Sequence, residues 1–273
     1  MIFKDKTVII TGGSEGVGAA TARLFAEAGA NLVLVARNKK NLEAIAEDLR
    51  DKTRVEIFPM DVTDADACAD LFKKAAFEFG HVDILVNNAG FHARGPVRDV
   101  DAADLGRIID VNLKAPSTLT RIALPYLEDA GGGVIVNVAS LHGRFASAGS
   151  TTYSASKFGL RIFSLALHEE LRDSGIKVAV ISPGAVDTGF IMDNIDQVDD
   201  IVFSQPMSTA DEVGQAILDL CGNDVREQAM PVSSGILATA AYLMPWMSRL
   251  LKPLLIKKGA RVKARLKAER KSS

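Results

Sequence analysis

Tyr153 and Lys157 stand four residues apart in Tyr153-Ser154-Ala155-Ser156-Lys157, a run of helical character. At that spacing a phenol and an ammonium share one helix face. The bland alternative is an exposed tyrosine beside a surface lysine. Taken as chemistry, the ammonium favours the phenolate and draws the tyrosine pKa toward working pH, making the phenol a usable proton donor or acceptor. Thirteen residues earlier, Ser140 follows an apolar strand in Val138-Ala139-Ser140, where a hydroxyl could hold a carbonyl oxygen beside Tyr153.

A second cluster, Thr11-Gly12-Gly13-Ser14-Glu15-Gly16-Val17-Gly18, lies between the first apolar run and the first helical segment. Glycines there allow a tight turn, let the backbone approach a pyrophosphate and present helix N-terminal N–H groups to its charge. An ordinary strand-to-helix turn would also use glycines, but this position favours dinucleotide binding. The second apolar run ends in Ala36-Arg37, about 20 residues on, where a ribose-binding acid would otherwise stand. A guanidinium attracts a 2′-phosphate and forks with it, so the expected cofactor is NADP(H) rather than NAD(H). Asn38, Lys39 and Lys40 could assist, or simply be solvated at a helix start.

Apolar runs of strand length alternate with helical segments from Thr7 to Val232, which predicts a parallel sheet covered by helices on both faces. The strands are expected at Thr7 to Ile10, Asn31 to Ala36, Arg54 to Phe58, Asp83 to Asn87, Gly133 to Val138, Lys177 to Ile181 and Gln228 to Val232. Helices are expected at Gly16 to Ala28, Lys39 to Arg50, Asp64 to Phe79, Asp101 to Leu127, Thr152 to Asp173 and Thr209 to Cys221, with Gly29, Gly80 and Gly175 as stops. The alternation is unbroken, so residues 1–232 are read as one dinucleotide-binding and catalytic domain, with 233–273 as a helical flap or tail of it.

In order along the chain, the Thr11-x-x-x-Gly16-x-Gly18 loop, Asp61-Val62, Asn87-Asn88-Ala89-Gly90, Asn112, Ser140, the Tyr153/Lys157 pair and Pro183-Gly184-Ala185-Val186-Asp187-Thr188 resemble the short-chain dehydrogenase/reductase family. The resemblance runs from Thr7 to about Thr188. It implies an α/β fold of the Rossmann type, a doubly wound parallel sheet of about seven strands, here with a C-terminal apolar and basic helical extension. It implies that Gly12, Ser14, Glu15, Gly16, Val17, Gly18 and Arg37 bind the cofactor, that Asp61 and Val62 flank the adenine, and that Asn88, Ala89 and Gly90 line the cofactor. Lys157 would bind the nicotinamide ribose as well as tune Tyr153, and Asn112 would interrupt its helix to hold a water relaying protons to Lys157. Ile181, Pro183 and Gly184 would border the nicotinamide, with Val186 and Thr188 on its carboxamide. The implied reaction is reversible hydride transfer between nicotinamide and a carbonyl or alcohol carbon, reduction being the expected direction in a cell. Pairing through the helices at Thr152 to Asp173 and Asp101 to Leu127 into a homodimer or homotetramer is implied by the resemblance alone. A nucleotide-sensing protein without turnover is the rival class; intact Ser140, Tyr153 and Lys157 argue against it.

Substrate contacts are expected at Phe91, His92 and Arg94, at Leu141, His142, Arg144 and Phe145, and in the loop from Phe190 to Phe203, with His142 more simply read as exposed. Past Val232 comes an uncharged stretch, Ile236 to Ser248, too short and broken to span a bilayer and read as a flap or interfacial anchor. From Arg249 to Ser273 the balance is +9, which leaves −11 on the preceding residues of a chain whose net charge is −2. Such a tail is either a solvated helix or a contact for an anionic membrane surface, and it suits a lipid, steroid or long-chain ketone as substrate. The acidic body and the tail's lack of interleaved aromatics speak against nucleic acid.

With 48% hydrophobic residues, the 273-residue chain is not a disordered one. Cys68 and Cys221 form no motif, which suits a reducing, cytoplasmic setting. The four histidines lack metal-ligand spacing, so no metal is expected. The segment Met1-Ile2-Phe3-Lys4-Asp5-Lys6 is charged and runs straight into an apolar strand, so no signal peptide is expected either.

Overall fold

The computed structural model describes residues 2–272. Met1 and Ser273 lie outside it, as do the side chains at 247, 248, 271 and 272, so the apolar stretch at Ser248 and the basic tail at Ser273 end outside the described residues. In chain order the elements are β1 (Thr7–Thr11), α1 (Gly16–Glu27), β2 (Asn31–Ala36), α2 (Lys39–Arg50), β3 (Val55–Pro59), α3 (Ala65–Phe79) and β4 (Ile84–Asn87). Then follow α4 (Ala102–Ile109), α5 (Ala115–Asp129), β5 (Gly133–Val138), α6 (Thr151–Glu170), β6 (Ile176–Pro183), β7 (Val186–Asp187) and α7 (Gly189–Met192). The chain closes with β8 (Ser208–Thr209), α8 (Ala210–Gly222), β9 (Glu227–Met230), α9 (Val232–Leu243) and α10 (Pro245–Ser272).

Seven parallel strands form one sheet in the order β3-β2-β1-β4-β5-β6-β9. Its strands are apolar on both sides, because successive side chains alternate between two buried faces. Val8 and Ile10 of β1, with Leu32 and Leu34 of β2, pack against Phe25 of α1, Leu42 and Leu49 of α2 and Ile217 of α8. Ile9, Val33 and Val35 point the other way, onto Phe72 of α3, Leu119 of α5 and Leu167 of α6. The strand order reverses between β1 and β4, and a doubly wound sheet binds ligands in the crevice at the C-terminal ends of its strands there.

The expected strands all form, most with ends within two residues of the sequence reading. The expected helix from Asp101 to Leu127 is not continuous. A π-helical turn, Asp110–Lys114, separates α4 from α5 and carries Asn112. Gly29 and Gly80 have positive φ just past the ends of α1 and α3, as their expected role as stops requires; Gly175, also at positive φ, instead lies five residues past the end of α6, in the turn that leads into β6. Residues 233–273 were expected to form a helical flap or tail, and α9 and α10 fill nearly all of that segment.

Candidate active site

The loop after β1 is held from below by β4. Thr11 Oγ1 accepts from the main-chain N–H groups of Asn88 and Ala89, both at 3.0 Å, and Asn88 Nδ2 donates to the carbonyls of Thr11 (3.0 Å) and Gly12 (3.2 Å). A β-carbon on Gly18 would lie 2.0 Å from the Gly12 carbonyl oxygen, so the first turn of α1 can close on the loop only with glycine there. Glu15, at the cap position of α1, makes no side-chain capping bond. The amides opening that helix are therefore left for an anion.

One cavity of about 1670 Å³ runs along the C-terminal edge of the sheet. At one end it is lined by Ala36 and Arg37, along its floor by Gly12 and Ser14 to Val17, and at the other end by Ser140, Tyr153 and Lys157. Asp61, Val62, Asn88, Ala89, Gly90, Pro183, Gly184, Val186 and Thr188 also line it. Of the residues expected to bind or border the cofactor, Gly18 and Ile181 are not on its wall: Gly18 lets α1 close on the loop, and Ile181 of β6 is buried in the core. The open helix end, the exposed Arg37 and the volume of the cleft fit a dinucleotide. Asn38 caps α2 by accepting from the Asn41 N–H, so its side chain is committed there.

Asp61 takes an ion pair from Arg107 at 2.8 Å and bonds from both the N–H and the hydroxyl of Thr63. Burial pushes its carboxyl up, but the Thr63 bonds and the Arg107 guanidinium outweigh it and hold the group below its ordinary value. Arg107 went unread in the sequence. Its signal would have been a basic residue one helix ahead of Asn112, which no spacing rule ties to Asp61.

Tyr153 and Lys157 share the buried face of α6. The Lys157 ammonium donates to the Val138 carbonyl at 2.8 Å and lies 5.9 Å from the centre of the Tyr153 ring. Burial raises the phenol above its ordinary value, while its hydrogen bond with Ser140 and the charge of Arg94 pull it back. The sequence reading gave that pull to Lys157; here it comes from Ser140 and Arg94, because the amine is turned to a carbonyl of β5. Ser140 also accepts from the His142 N–H at 3.2 Å.

Burial pushes Lys157 down to about 8 from 10.5. The unfolded chain then binds more protons than the folded one between those values, so this group opposes folding most below about 8 and less as pH rises through the window. Lys157→Met is accordingly expected to raise the urea midpoint at neutral pH, with the gain shrinking toward pH 10.5. Equilibrium unfolding of both proteins across that range checks it; a variant less stable at neutral pH would contradict it.

Asn112 accepts from the Phe91 N–H and donates to the Phe91 carbonyl, both at 2.8 Å, and donates to Ser156 Oγ at 3.1 Å. Both hydrogens of its amide nitrogen are engaged, so the side chain itself braces the loop after β4 against α6. Asn137, missed by the sequence reading, is buried, accepts from Asn87 Nδ2 at 2.8 Å to link β5 to β4, and donates to Ser164 of α6 at 2.9 Å. A polar residue inside an apolar strand was the signal for Asn137.

His142 was expected to be exposed, but it is half-buried and sits edge-on to Tyr153 with centroids 5.6 Å apart. His92 stacks on the same ring at 4.0 Å. Burial, with Arg94 adding to it, holds His92 down to about 3 and His142 to about 4, so both are neutral at physiological pH. Arg94 lies over the Phe190 ring at 5.2 Å and donates to the Phe190 carbonyl at 3.1 Å. Arg144 is not a wall of the cavity. It pairs with Glu227, which Arg161 also holds at 3.0 Å.

Cys68 and Cys221 are packing thiols that burial pushes up to about 11 and about 12. Among the described residues no cluster of His, Cys, Asp and Glu could hold a metal ion, and no helix is long and apolar enough to cross a membrane.

The model of the short chain dehydrogenase family matches residues 6–199. An uncharacterized oxidoreductase of Staphylococcus aureus (strain USA300) is 36% identical over 187 residues, covering 68% of this chain and 80% of that protein. One from Staphylococcus epidermidis is 36% identical over 185 residues, with the same coverage. The matched span holds the glycine loop, the serine and the Tyr-Lys pair that line one cleft at the sheet's reversal, and with that fold and that span the chain belongs to the short-chain dehydrogenases, oxidoreductases that work with a nicotinamide cofactor.

Proposed function

We propose that this oxidoreductase uses NADP(H) to interconvert a carbonyl and a secondary alcohol on a hydrophobic substrate, with Tyr153 as proton donor and acceptor. One observation carries the reading: a single cavity joins the exposed Arg37 to the buried Tyr153, so a dinucleotide lying along it brings its two ends to a phosphate-binding cation and a proton donor. When bound, the cofactor supplies or takes up the hydride.

The rest is done by this chain's own side chains. Gly12, Ser14 to Val17 and the open end of α1 would hold the diphosphate of the cofactor, and Arg37 would hold the 2′-phosphate. Ser140 and Tyr153 hydrogen-bond the substrate oxygen and stabilise the charge that grows on it. Tyr153 then gives up its proton in the reductive direction, and the Ser140 hydroxyl and the Arg94 charge steady the phenolate left behind. His92 and His142, held neutral, cover the phenol without competing for its proton. Phe91, Phe145, Phe190, Leu237 and Leu255 give the rest of the wall an apolar part beside the charged Arg94, Asp196 and Asp200, and that part favours a lipid, steroid or long-chain ketone.

Following NADPH absorbance against a panel of aldehydes, ketones, quinones and steroid ketones tests this. Turnover is expected with an apolar carbonyl compound. Tight NADPH binding with no oxidation by any member of the panel would favour the sensor reading instead.

A further inference from the structure

Helix α10 carries two kinds of cation. In its C-terminal half Lys263 pairs with Asp200 at 3.1 Å, Arg270 with Asp193 at 3.2 Å and Lys267 with Asp196, which straps the helix onto the acidic segment that borders the cavity. The strap is close. A β-carbon on Gly259 would lie 1.8 Å from the Asp200 carbonyl oxygen, so the helix backbone rests directly on that segment. In the N-terminal half the exposed Arg249, Lys252, Lys257 and Lys258 form no ion pair among the described residues.

That same half exposes its large apolar residues. Trp246, Leu250 and Leu254 recur every four residues and are 62, 69 and 68% exposed, and Leu243 at the end of α9 is 70% exposed. Val232 and Ile236 extend the exposed apolar surface along α9. Soluble monomers rarely leave such a patch uncovered. Its occupant must combine an apolar interior with negative charge. A second copy offers the wrong charge: a two-fold contact would set these lysines and arginines against themselves. A bilayer with anionic headgroups meets both needs, taking the apolar side chains to the acyl boundary and the cations to the headgroups.

We propose that the face formed by α9 and the N-terminal half of α10 docks the protein on an anionic lipid bilayer. Leu237, Ala241, Tyr242, Pro245 and Leu255 of these two helices wall the cavity, so docking sets the mouth of the cavity beside the membrane. That a membrane-resident carbonyl compound enters there rests on the reductase reading and is judged by NADPH turnover. The docking is judged without it.

The test is sedimentation of the full chain, loaded with NADPH, with vesicles of equal parts phosphatidylcholine and phosphatidylglycerol. The chain has one tryptophan, Trp246, so its emission reports directly on this face. Wild-type protein is expected to sediment with a blue-shifted Trp246 emission, to bind at least ~10-fold less to pure phosphatidylcholine, and to be released by salt. Leu250→Glu/Leu254→Glu, both outside the cavity wall, is expected to lose vesicle binding while keeping NADPH affinity and its melting curve. Lys257→Glu/Lys258→Glu is expected to lose the preference for anionic vesicles. Wild-type protein that stays in the supernatant overturns the proposal, and so does vesicle binding undiminished in the leucine variant. A dimer in ultracentrifugation that the leucine variant splits, with no vesicle binding, assigns the face to a second copy and overturns it too.

Discussion

Replacing Tyr153 with Phe is expected to lower the rate of carbonyl reduction by about 10²- to 10⁴-fold, the usual worth of a positioned proton donor. The substitution keeps the ring that stacks on His92 at 4.0 Å and removes only the hydroxyl that hydrogen-bonds Ser140. Fold and NADPH affinity should therefore survive, and the loss should fall on kcat. The pH dependence follows from the same geometry. Burial keeps the phenol above its ordinary value of 10, so it is protonated at neutral pH and ready to donate. Reduction should be level through neutral pH and fall only in alkaline buffer. Alcohol oxidation, which needs the phenolate, should climb with pH. Steady-state rates in both directions across pH check this; a Phe variant with unchanged rates would remove Tyr153 from the mechanism.

The second large effect is expected at Arg37. Arg37→Ala removes a forked, charge-assisted contact to the 2′-phosphate, and hydrogen bonds to charged groups are worth about 1.5–3 kcal/mol. NADPH affinity should fall by about ten- to a hundred-fold, toward the lower end because Arg37 is exposed and screened. NADH affinity should hardly move. Arg37→Asp should reverse the preference, since a carboxylate accepts from both ribose hydroxyls and repels the phosphate. Fluorescence titration with the two cofactors at low and high salt measures it. Equal affinity of the wild-type protein for NADH and NADPH would refute the assignment of Arg37.

Much of the fold is written locally. β2, Asn31–Ala36, and β5, Gly133–Val138, begin and end where they are expected, because a strand covered on both faces is nearly all apolar; Asn137 is the polar exception within β5. The glycine loop, Ser140 and the Tyr153/Lys157 pair were likewise readable, since each depends on residues close in sequence. The π-helical turn at Asp110–Lys114 was not readable from periodicity, and only the family resemblance pointed to a break in the helix at Asn112. Its periodicity continues that of its neighbours, and what it serves is a contact between Asn112 and Phe91, 21 residues away.

The site's electrostatics also escaped local reading. Arg94, rather than Lys157, helps draw the phenol down; His142 turns inward onto Tyr153; Arg144 turns away to Glu227, 83 residues later. Side-chain direction on a loop is set by whatever packs against it, and for these loops that is β9, α7 and the C-terminal helices. The division of α10 into a strapped half and an open half arises the same way, because its composition is basic throughout and only the acids at 193, 196 and 200 choose which cations they meet. The sequence by itself determined the layered sheet, the order of its strands in the chain and the residues able to do chemistry, because strand, helix and turn preferences act over a few neighbours. Which charges face the phenol, and which surface is left uncovered, only the tertiary structure decided, because Coulombic and packing contacts depend on distance in space.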